Sequence, residues 1–198
     1  KSALKEALAM GADEAYLISD RAFGGSDTWA TSTIIAAAIE KVGKYDVIFC
    51  GRQAIDGDTA QVGPEVAEFL GIPQVTYAKE VKVQDDKLLG TRYTETGDYL
   101  IEAKMPVLLT AIKELNNPRY PSVKGILEAY NNGDAKITVL TLADLDVDTT
   151  QIGLKGSPTN VYKSFVPVKD KHNEIIEGIN KKEKAEKLIE ILFDLKLV

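Results

Sequence analysis

Residues 46–75 read DVIFCGRQAIDGDTAQVGPEVAEFLGIPQV, and this stretch decides the fold class of the chain. Its first part, Asp46–Cys50, is an apolar run typical of a buried parallel strand. A polar, glycine-bearing loop follows at residues 51–61, and Val62–Leu70 has the apolar spacing of a helix closed by glycine and proline. Another strand begins shortly afterwards. The order strand, loop, helix, strand predicts a parallel sheet covered by helices.

The flanking sequence extends this unit in both directions. Upstream, we predict a helix, a strand and a second helix at Ser2–Met10, Glu14–Ser19 and Thr28–Val42, with Ser2 and Thr28 as caps. Downstream, we predict strands at Gln74–Gln84, Lys87–Glu95, Tyr99–Lys104, Met105–Ile112 and Lys136–Thr141, and helices at Ser122–Tyr130 and Lys181–Leu195. Tight turns between three of these strands predict a small antiparallel insertion. The predicted fold class is therefore α/β, a parallel sheet with helices on both faces, this insertion and an extended C-terminal arm.

The composition argues against several classes of function. The chain has 198 residues and a formal net charge of -6, whereas a nucleic-acid surface needs concentrated lysine and arginine. No apolar run approaches the roughly 20 residues that span a bilayer, so we expect no membrane insertion. Cys50 is the only cysteine and fits a reducing, cytoplasmic environment. The only histidine, His172, lies in a polar run that favours a solvated loop, and we assign no catalytic residue.

The end of the chain differs in character from its beginning. Residues 142–168 are polar, contain glycine and proline, and have little periodicity, so we expect them to bury too little to order themselves and to lie on another surface. An amphipathic helix follows. We therefore predict a nucleotide-binding α/β domain at 1–141 and an arm with a helix at 142–198. Because a helical pattern begins at Ser2 with no strand before it, we expect an N-terminal part of the domain to precede Lys1.

The loop that follows the Asp46–Cys50 strand is the first candidate site. Ligands in open α/β sheets bind at the carboxyl ends of strands, and a helix N-terminus offers free N–H groups to a phosphate. Gly57 and Gly63 would let a phosphate approach the backbone. The alternative from the residues alone is an ordinary connection in which Asp58 or Thr59 caps the helix. The candidate nucleotide-binding residues are Gly51, Arg52, Gln53, Ala54, Ile55, Asp56, Gly57, Asp58, Thr59, Ala60, Gln61 and Val62.

A second loop, Arg21–Thr28, also joins a predicted strand to a predicted helix and should lie at the same edge of the sheet. Arg21 offers a cation, and the glycines of the loop, Gly24 and Gly25, allow close approach of a ligand. A flexible polar turn is the alternative. The candidate ligand contacts in this loop are Arg21, Ala22, Phe23, Gly24, Gly25 and Thr28.

Two further sets of residues have less specific patterns. Asp56, Asp58 and Glu65 invite a metal interpretation, but their spacing matches no metal-binding loop, and we assign no metal site. Residues 116–127 form a loop bracketed by prolines that enters a helix, either as a simple connection or as a docking surface.

Four segments together resemble electron-transfer flavoprotein beta subunits, the family that includes FixA. The most specific is CGRQAIDGDTAQVGPEVAEFLGIPQVTYA at residues 50–78, which resembles the family's signature segment. ALAMGADEAYLISD at residues 7–20 and NNPRYPSVKGILEA at residues 116–129 resemble the segments on either side. DRAFGGSDTWATS at residues 20–32 is similar to members that bifurcate electrons. The resemblance covers about three-quarters of the chain.

The resemblance implies a fold like that of adenine nucleotide alpha hydrolases, an alpha-subunit partner and a nucleotide at residues 51–62. In the bifurcating subset that nucleotide is FAD and NADH is the electron donor, with an acyl-CoA dehydrogenase and ferredoxin or flavodoxin as acceptors. In simple carriers the beta subunit holds AMP. The resemblance also implies docking of the dehydrogenase through Tyr120, Val123 and Ile126. A stand-alone universal-stress-type domain is the alternative of another class.

Overall fold

The stretch 46–75 folds as its sequence predicts, into a strand, a loop, a helix and the beginning of a second strand. The computed structural model describes residues 1–168 and 173–197, so the position predicted for His172 lies outside the described residues. The helices are α1 (Ser2–Ala9), α2 (Thr28–Val42), α3 (Val62–Phe69), α4 (Val123–Asn132), α5 (Gly153–Gly156) and α6 (Lys181–Asp194). The strands are β1 (Ala15–Ile18), β2 (Val47–Gly51), β3 (Gln74–Gln84), β4 (Lys87–Thr94), β5 (Gly97–Lys104), β6 (Val107–Ala111) and β7 (Ile137–Leu140).

The first and last strands pair in a two-stranded parallel sheet. Ala15 of β1 lies opposite Ile137 of β7, and Ile18 lies opposite Leu140. Because side chains alternate along a strand, the two faces of this sheet contact different helices. One face packs on α1 and α4, and the other packs on α2. Helices on both faces of parallel strands are the predicted arrangement.

The other five strands form a mixed sheet in the order β2-β6-β3-β4-β5. β6 pairs in parallel with β2 on one side and with β3 on the other. β4 then runs antiparallel to both β3 and β5, which is the predicted antiparallel insertion. Val107, Leu108 and Leu109 of β6 are fully buried, so the centre of this core lies at the parallel strands.

A bend in β3 carries the chain from the parallel strands into the hairpin. Val75 pairs with Leu109 of β6, and the register shifts before Ala78. Tyr77 lies at this shift with φ +54, a left-handed conformation rarely adopted by residues other than glycine. Its N–H donates to Oγ1 of the buried Thr110 at 2.9 Å, which holds the bend in place.

Helix α2 joins the two sheets. Ile34 packs in the cluster that contains Leu140 of the small sheet, whereas Ile35 and Ile39 pack against the cluster of α3 and Leu108. Apolar side chains on two sides of α2 therefore contribute to both clusters. The bounds of α2 are those predicted from the sequence.

Two predicted helix caps are wrong. The residue that precedes α1 is Lys1, which makes no capping bond with its side chain, and Ser2 is already helical. For α2 the cap is Asp27, whose carboxylate accepts a hydrogen bond from the N–H of Ala30 at 3.0 Å. A capping side chain belongs to the last extended residue before the helix, and Thr28 lies one position too late.

The segment after β7 packs on its own chain over much of its length. We expected residues 142–168 to lie on another surface, but Leu145 and Ile152 are buried in the same cluster as Ile34 of α2. The first compact unit extends from Lys1 to Asn160. The buried apolar residues of the segment after β7 are widely spaced and follow separate turns, so a search for helix or strand periodicity does not detect them.

Within the described residues of the second unit, Val161–Val198, the one regular element is α6. Asn180 caps α6 by accepting from the N–H of Glu183 at 3.0 Å. The apolar side chains Leu188, Ile189 and Phe193 on this helix remain exposed. Among the described residues, no helix is both long and apolar enough to cross a membrane.

Candidate functional site

The loop at residues 51–62 lies between the end of β2 and the start of α3. β2 and β6 run in parallel, with Gly51 opposite Ala111, so the loop leaves the sheet at the carboxyl ends of two neighbouring strands. This edge is where open α/β sheets bind their ligands. The predicted site therefore has the predicted position in the fold.

Its backbone conformation is unusual for residues that carry a side chain. Asp58 and Ala60 both have φ +54, a left-handed conformation. The N–H of Asp58 donates to the carbonyl of Ala54 at 3.0 Å, which closes a turn. At Gly57, a Cβ atom would meet nothing within 4 Å. The loop thus has a defined backbone and an open side.

Hydrogen bonds within the loop orient Arg52, whose side chain contacts β3. Gln53 donates from its amide nitrogen to the carboxylate of Asp58, and Arg52 donates from Nε to Oε1 of Gln53 at 2.8 Å. The guanidinium carbon of Arg52 lies 5.6 Å from the centre of the Tyr77 ring, a cation–π geometry. The one arginine of the loop is thereby directed towards β3.

The N-terminus of α3 has no side-chain cap. Gln61 is the residue before the helix, and its side chain makes no capping bond, so the alternative in which Asp58 or Thr59 caps α3 is wrong. Uncapped first-turn N–H groups leave the positive end of the helix free for an anion. Gly63 was expected to let a phosphate approach, but it allows α3 to pack closely on β6, because a Cβ there would lie 2.7 Å from Cγ2 of Thr110.

Most of the loop side chains face solvent. Ile55 is 99% exposed, which is unusual for a large apolar residue. Gln53, Ala60 and Val62 are partly covered, and the other residues from Gly51 to Gln61 are exposed. The predicted contacts at residues 51–62 are therefore accessible, and the assignment of each to a nucleotide stays a prediction.

The second predicted loop, Arg21–Thr28, has a different environment. Asp20 accepts from the N–H of Ala22 at 2.9 Å and starts a short 3-10 turn at Arg21–Phe23. At Gly25, which has φ +79, a Cβ atom would lie 2.9 Å from Cβ of Leu154. The glycine here makes room for another segment of the same chain. Arg21, Ala22 and Gly24 remain exposed.

Hydrogen bonds fasten residues 153–159 to one side of this loop. Gly153 donates from its N–H to Oγ of Ser26 at 3.0 Å, and Leu154 donates to the carbonyl of Gly24 at 3.2 Å. Asp27 donates from its N–H to Oγ of Ser157 at 2.8 Å, and its carboxylate accepts from the N–H and from Oγ1 of Thr159, both at 2.8 Å. One side of the loop is thus held by its own chain.

The two aspartates of this loop are held in the charged form. Hydrogen bonds from the backbone N–H groups of Ala22 and then Leu142 hold the pKa of Asp20 below its ordinary value. For Asp27, burial opposes ionisation, but hydrogen bonds from Ala30 and Thr159 outweigh it and lower the pKa. A carboxylate that accepts several N–H bonds is stabilised in its ionised state.

The structure brings the starts of α2 and α3 together through Glu65. Its carboxylate accepts from Thr28 at 3.3 Å and from the buried Ser32 at 3.0 Å, and Ser32 also approaches the carbonyl of Val62 at 3.3 Å. The two predicted loops are neighbours through these bonds. Within residues 1–168 and 173–197, no group of three or more His, Cys, Asp or Glu side chains could hold a metal ion.

The predicted docking residues lie on the outer surface of α4 and the loop before it. Tyr120 and Val123 are 93% and 76% exposed, and Ile126 is 40% exposed. Leu127, which the sequence analysis did not select, extends this surface and is also exposed.

Helix α4 is fixed against α1 on its other side. Arg119 donates from Nη2 to the carbonyl of Met10 at 2.8 Å, and Ser122 caps the helix by accepting from the N–H of Gly125. A Cβ at Gly125 would lie 2.4 Å from the carbonyl oxygen of Ala9, so the two helices touch by backbone. The exposed side chains of α4 therefore belong to a rigid surface.

Sequence analysis missed a cavity of about 1240 Å³ beside the first loop. Arg52 and Gln53 line one side of it, and residues from β3, β4 and the end of β6 line the remainder. The signal that could have found it is the strand register, which places Ala78 opposite both Ala111 and Arg92. No local sequence pattern gives that register.

Comparison with known proteins identifies the family. The model of the electron transfer flavoprotein domain matches residues 1–145. The electron transfer flavoprotein subunit beta of Thermoanaerobacterium thermosaccharolyticum is 59% identical over 190 residues, which cover 96% of this chain and 72% of that protein. The caffeyl-CoA reductase-Etf complex subunit CarD of Acetobacterium woodii is 50% identical over 186 residues, covering 94% of this chain and 70% of CarD.

The chain belongs to the electron-transfer flavoprotein beta-subunit family. A third relative, the acryloyl-CoA reductase electron transfer subunit gamma of Anaerotignum propionicum, is 50% identical over 195 residues, covering 96% of this chain and 72% of that subunit. This family membership replaces the alternative of a stand-alone universal-stress-type domain. The chain spans about 70% of the length of these relatives.

Proposed function

We propose that this electron-transfer flavoprotein beta subunit binds FAD at residues 51–62 and, with an alpha subunit, bifurcates the electron pair of NADH. One electron goes to a low-potential acceptor, ferredoxin or flavodoxin, and the other goes by way of the alpha subunit to an acyl-CoA dehydrogenase. The observation that carries the proposal is the open loop at the carboxyl ends of β2 and β6, which leads into a helix with an uncapped N-terminus.

The residues of the loop fit the phosphate end of a nucleotide. Gly57 leaves open space where a side chain would begin, and the first turn of α3 offers N–H groups together with the positive end of the helix dipole. Thr59 and Gln61 add side-chain donors. The bend formed by Asp58 and Ala60, both in the left-handed region, gives the cradle a fixed backbone shape.

A flavin bound by this subunit would supply the redox chemistry, because it accepts a hydride and releases electrons singly. The role of the protein is to hold and orient the flavin and the other ligands. Arg21 is exposed at the neighbouring loop, where its cation can face the phosphates of NADH or a reduced flavin ring. Asp20 accepts from the N–H of Ala22 and so holds the turn that carries Arg21, and hydrogen bonds to residues 153–159 hold the following residues Ser26 and Asp27.

The relatives support the choice of partners. Two of them, each 50% identical to this chain, carry the names of a caffeyl-CoA reductase complex and an acryloyl-CoA reductase. We propose that the exposed side chains Tyr120, Val123 and Ile126 dock on a dehydrogenase of the acyl-CoA type, since solvent-exposed apolar groups on a rigid helix favour a protein partner.

We further propose that the arm and α6, within residues 142–198, include the contact with the alpha subunit. The large apolar and aromatic side chains that a partner would bury here are all exposed: Val161, Tyr162, Phe165, Val166, Ile175, Ile179, Leu188, Ile189 and Phe193. The part from residue 142 to Asn160 belongs to the first compact unit, so we assign the alpha-subunit contact chiefly to residues 161–198. Apolar area of this kind is typical of permanent interfaces.

Counting cofactors in the intact heterodimer tests the proposal. We expect two FAD per heterodimer, no AMP, and bleaching of the flavin spectrum by NADH. The variant Arg21→Ala should slow NADH oxidation and leave flavin content unchanged. If the heterodimer instead contains one FAD and one AMP, and NADH does not reduce it, the beta subunit belongs to a simple carrier and the proposal fails.

A further inference from the structure

A cavity of about 1240 Å³ opens between the Arg52 end of the first loop and the β3–β4 hairpin. Binding pockets for small ligands commonly measure about 300–1,000 Å³, so this one has room for a nucleotide. Gly57, Thr59 and Gln61, which form the open side of the loop at residues 51–62, do not line it. The cavity therefore adjoins the proposed FAD site and shares only Arg52 and Gln53 with it.

Basic side chains line much of the cavity: Arg52, Lys79, Arg92 and Lys113. Lys79 forms an ion pair with Asp98 of β5. In the part of the chain that the structure describes, the other three have no carboxylate partner within 4.0 Å.

Three carboxylates also line the cavity, namely Glu80, Glu95 and Glu114. Glu80 is paired with Lys82 at 2.8 Å, which neutralises it locally. Arg52 and Arg92 carry the forked guanidinium donors that match phosphate oxygens, whereas the opposing carboxylates are single charges. The cations available to bind an anion are thus Arg52, Arg92 and Lys113, and the two arginines carry the forked donors.

Tyr77 adds an aromatic wall in a strained conformation. It has φ +54 and is held by the hydrogen bond from its N–H to the buried Thr110. Strained residues that are fixed by their surroundings cluster at ligand sites. Arg52 already lies over the ring, so a cation and a flat aromatic face are presented together.

We propose that this cavity binds a nucleotide, with its phosphates between Arg52 and Arg92 and its base against the tyrosine side of the cavity. Arginine forks and an aromatic face suit the two halves of a nucleotide. The site adjoins the one at residues 51–62, and Arg92 and Lys113 belong to it alone. Arg52 is the wall that the two sites share, and Gln53 connects it to Asp58 of the loop.

Calorimetric titration of the intact, full-length heterodimer tests the site with ADP, pyrophosphate and adenosine as separate probes. We expect ADP to bind more tightly than either fragment. Arg92→Ala should weaken binding of ADP and pyrophosphate by about 10-fold or more, because a charge-assisted contact to phosphate is lost, and should leave adenosine binding unchanged. Arg92→Lys should weaken ADP binding less, because it keeps the charge without the fork.

Lys44→Ala is the matched control, since this exposed lysine precedes β2 at the opposite end of the strand and its loss changes the net charge equally. Lys113→Ala is a second variant on the far wall, and it should also weaken ADP binding. The proposal is overturned if wild-type heterodimer takes up no ADP, or if Arg92→Ala and Lys44→Ala bind it equally. Cofactor that copurifies should be unchanged in Arg92→Ala, so failure here is distinct from failure of the FAD assignment.

Discussion

Two loops of this chain have the same place in the fold and opposite surroundings. Arg21–Thr28 follows β1 and residues 51–62 follow β2, and each leads into a helix of the same α/β unit. The first is fastened to residues 153–159 by hydrogen bonds, whereas the second has open space at Gly57. A glycine-bearing loop at the binding edge of a sheet can therefore serve the chain itself or a ligand, and the packing around the glycine tells which.

The difference arises from what each loop does with its polar groups. In the first loop, Asp27 caps α2 and also accepts from Thr159, so its carboxylate joins segments that are 132 residues apart. In the second loop, the carboxylate of Asp58 accepts from Gln53, five residues away, and its N–H donates to Ala54, four residues away. Local bonds shape a loop and leave it accessible, while long-range bonds close it.

The largest effect should follow the change Gly25→Val in the closed loop. A β-branched residue at φ +79 costs about 1–2 kcal/mol, and its Cβ would meet Leu154 at 2.9 Å, which adds about 1–3 kcal/mol of overpacking. We expect the free energy of unfolding to fall by about 2–5 kcal/mol. The N–H of Leu154 should also lose its protection from hydrogen exchange.

Gly43→Val is the control for backbone strain alone, because Gly43 has φ +104 and a Cβ there would meet nothing within 4 Å. It should cost only the strain and leave exchange at Leu154 unchanged. Equal losses of stability in the two variants, with Leu154 still protected, would mean that residues 153–159 do not close the loop.

How much of this could be predicted from the sequence depends on the range of the contact. The bounds of α2 and β3 match their predicted bounds, because apolar periodicity and turn residues are local signals. The position of the loop at residues 51–62 also follows from strand order alone. The contact between the loop at Arg21–Thr28 and residues 153–159 was not predictable. Asp27 and Ser157 are 130 residues apart, and no pattern in either segment indicates that they bond to each other.

The cavity was missed for a related reason. Arg52 reaches it from the loop after β2 and Arg92 reaches it from β4, which pairs with β3 beyond the bend at Tyr77. A tyrosine at φ +54 contradicts its own propensity, and only the tertiary contact with Thr110 makes that conformation possible. Sequence reasoning places elements well, but it cannot place residues whose conformation is imposed by distant neighbours.

A smaller effect should follow Asp27→Asn, which keeps a capping oxygen for Ala30 but removes the charge that accepts from Thr159. We expect a loss of about 1–2 kcal/mol near neutral pH. The folded state lowers the pKa of Asp27 below its unfolded value of about 3.9. Its contribution is therefore fully present above that value and is lost as the pH falls through the folded pKa. The stability difference between wild type and variant should shrink accordingly in acid.

Asp148→Asn is the matched control, because hydrogen bonds from Thr150, two residues away, likewise lower the pKa of Asp148. It should change local stability without exposing the N–H of Thr159 to hydrogen exchange. A stability difference for Asp27→Asn that stays constant from neutral pH into acid would contradict the role of its charge in closing the loop.

The smallest effect on stability, and the sharpest test of the comparison, should come from Gly57→Val in the open loop. Gly57 does not adopt a left-handed conformation, and a Cβ there would meet nothing within 4 Å, so the free energy of unfolding should change by less than about 0.5 kcal/mol. If a phosphate rests against this backbone, however, the added side chain occupies its place, and nucleotide or flavin content of the purified heterodimer should fall severalfold or more. Ile55→Val, at an exposed position in the same loop, should retain the cofactor. A Gly57→Val protein that is stable and carries its full complement of nucleotide would show that the open space serves no ligand. A stable Gly57→Val protein without nucleotide would show that this loop serves binding rather than stability. The loop at Arg21–Thr28 differs, because there Gly25→Val should reduce the stability of the fold.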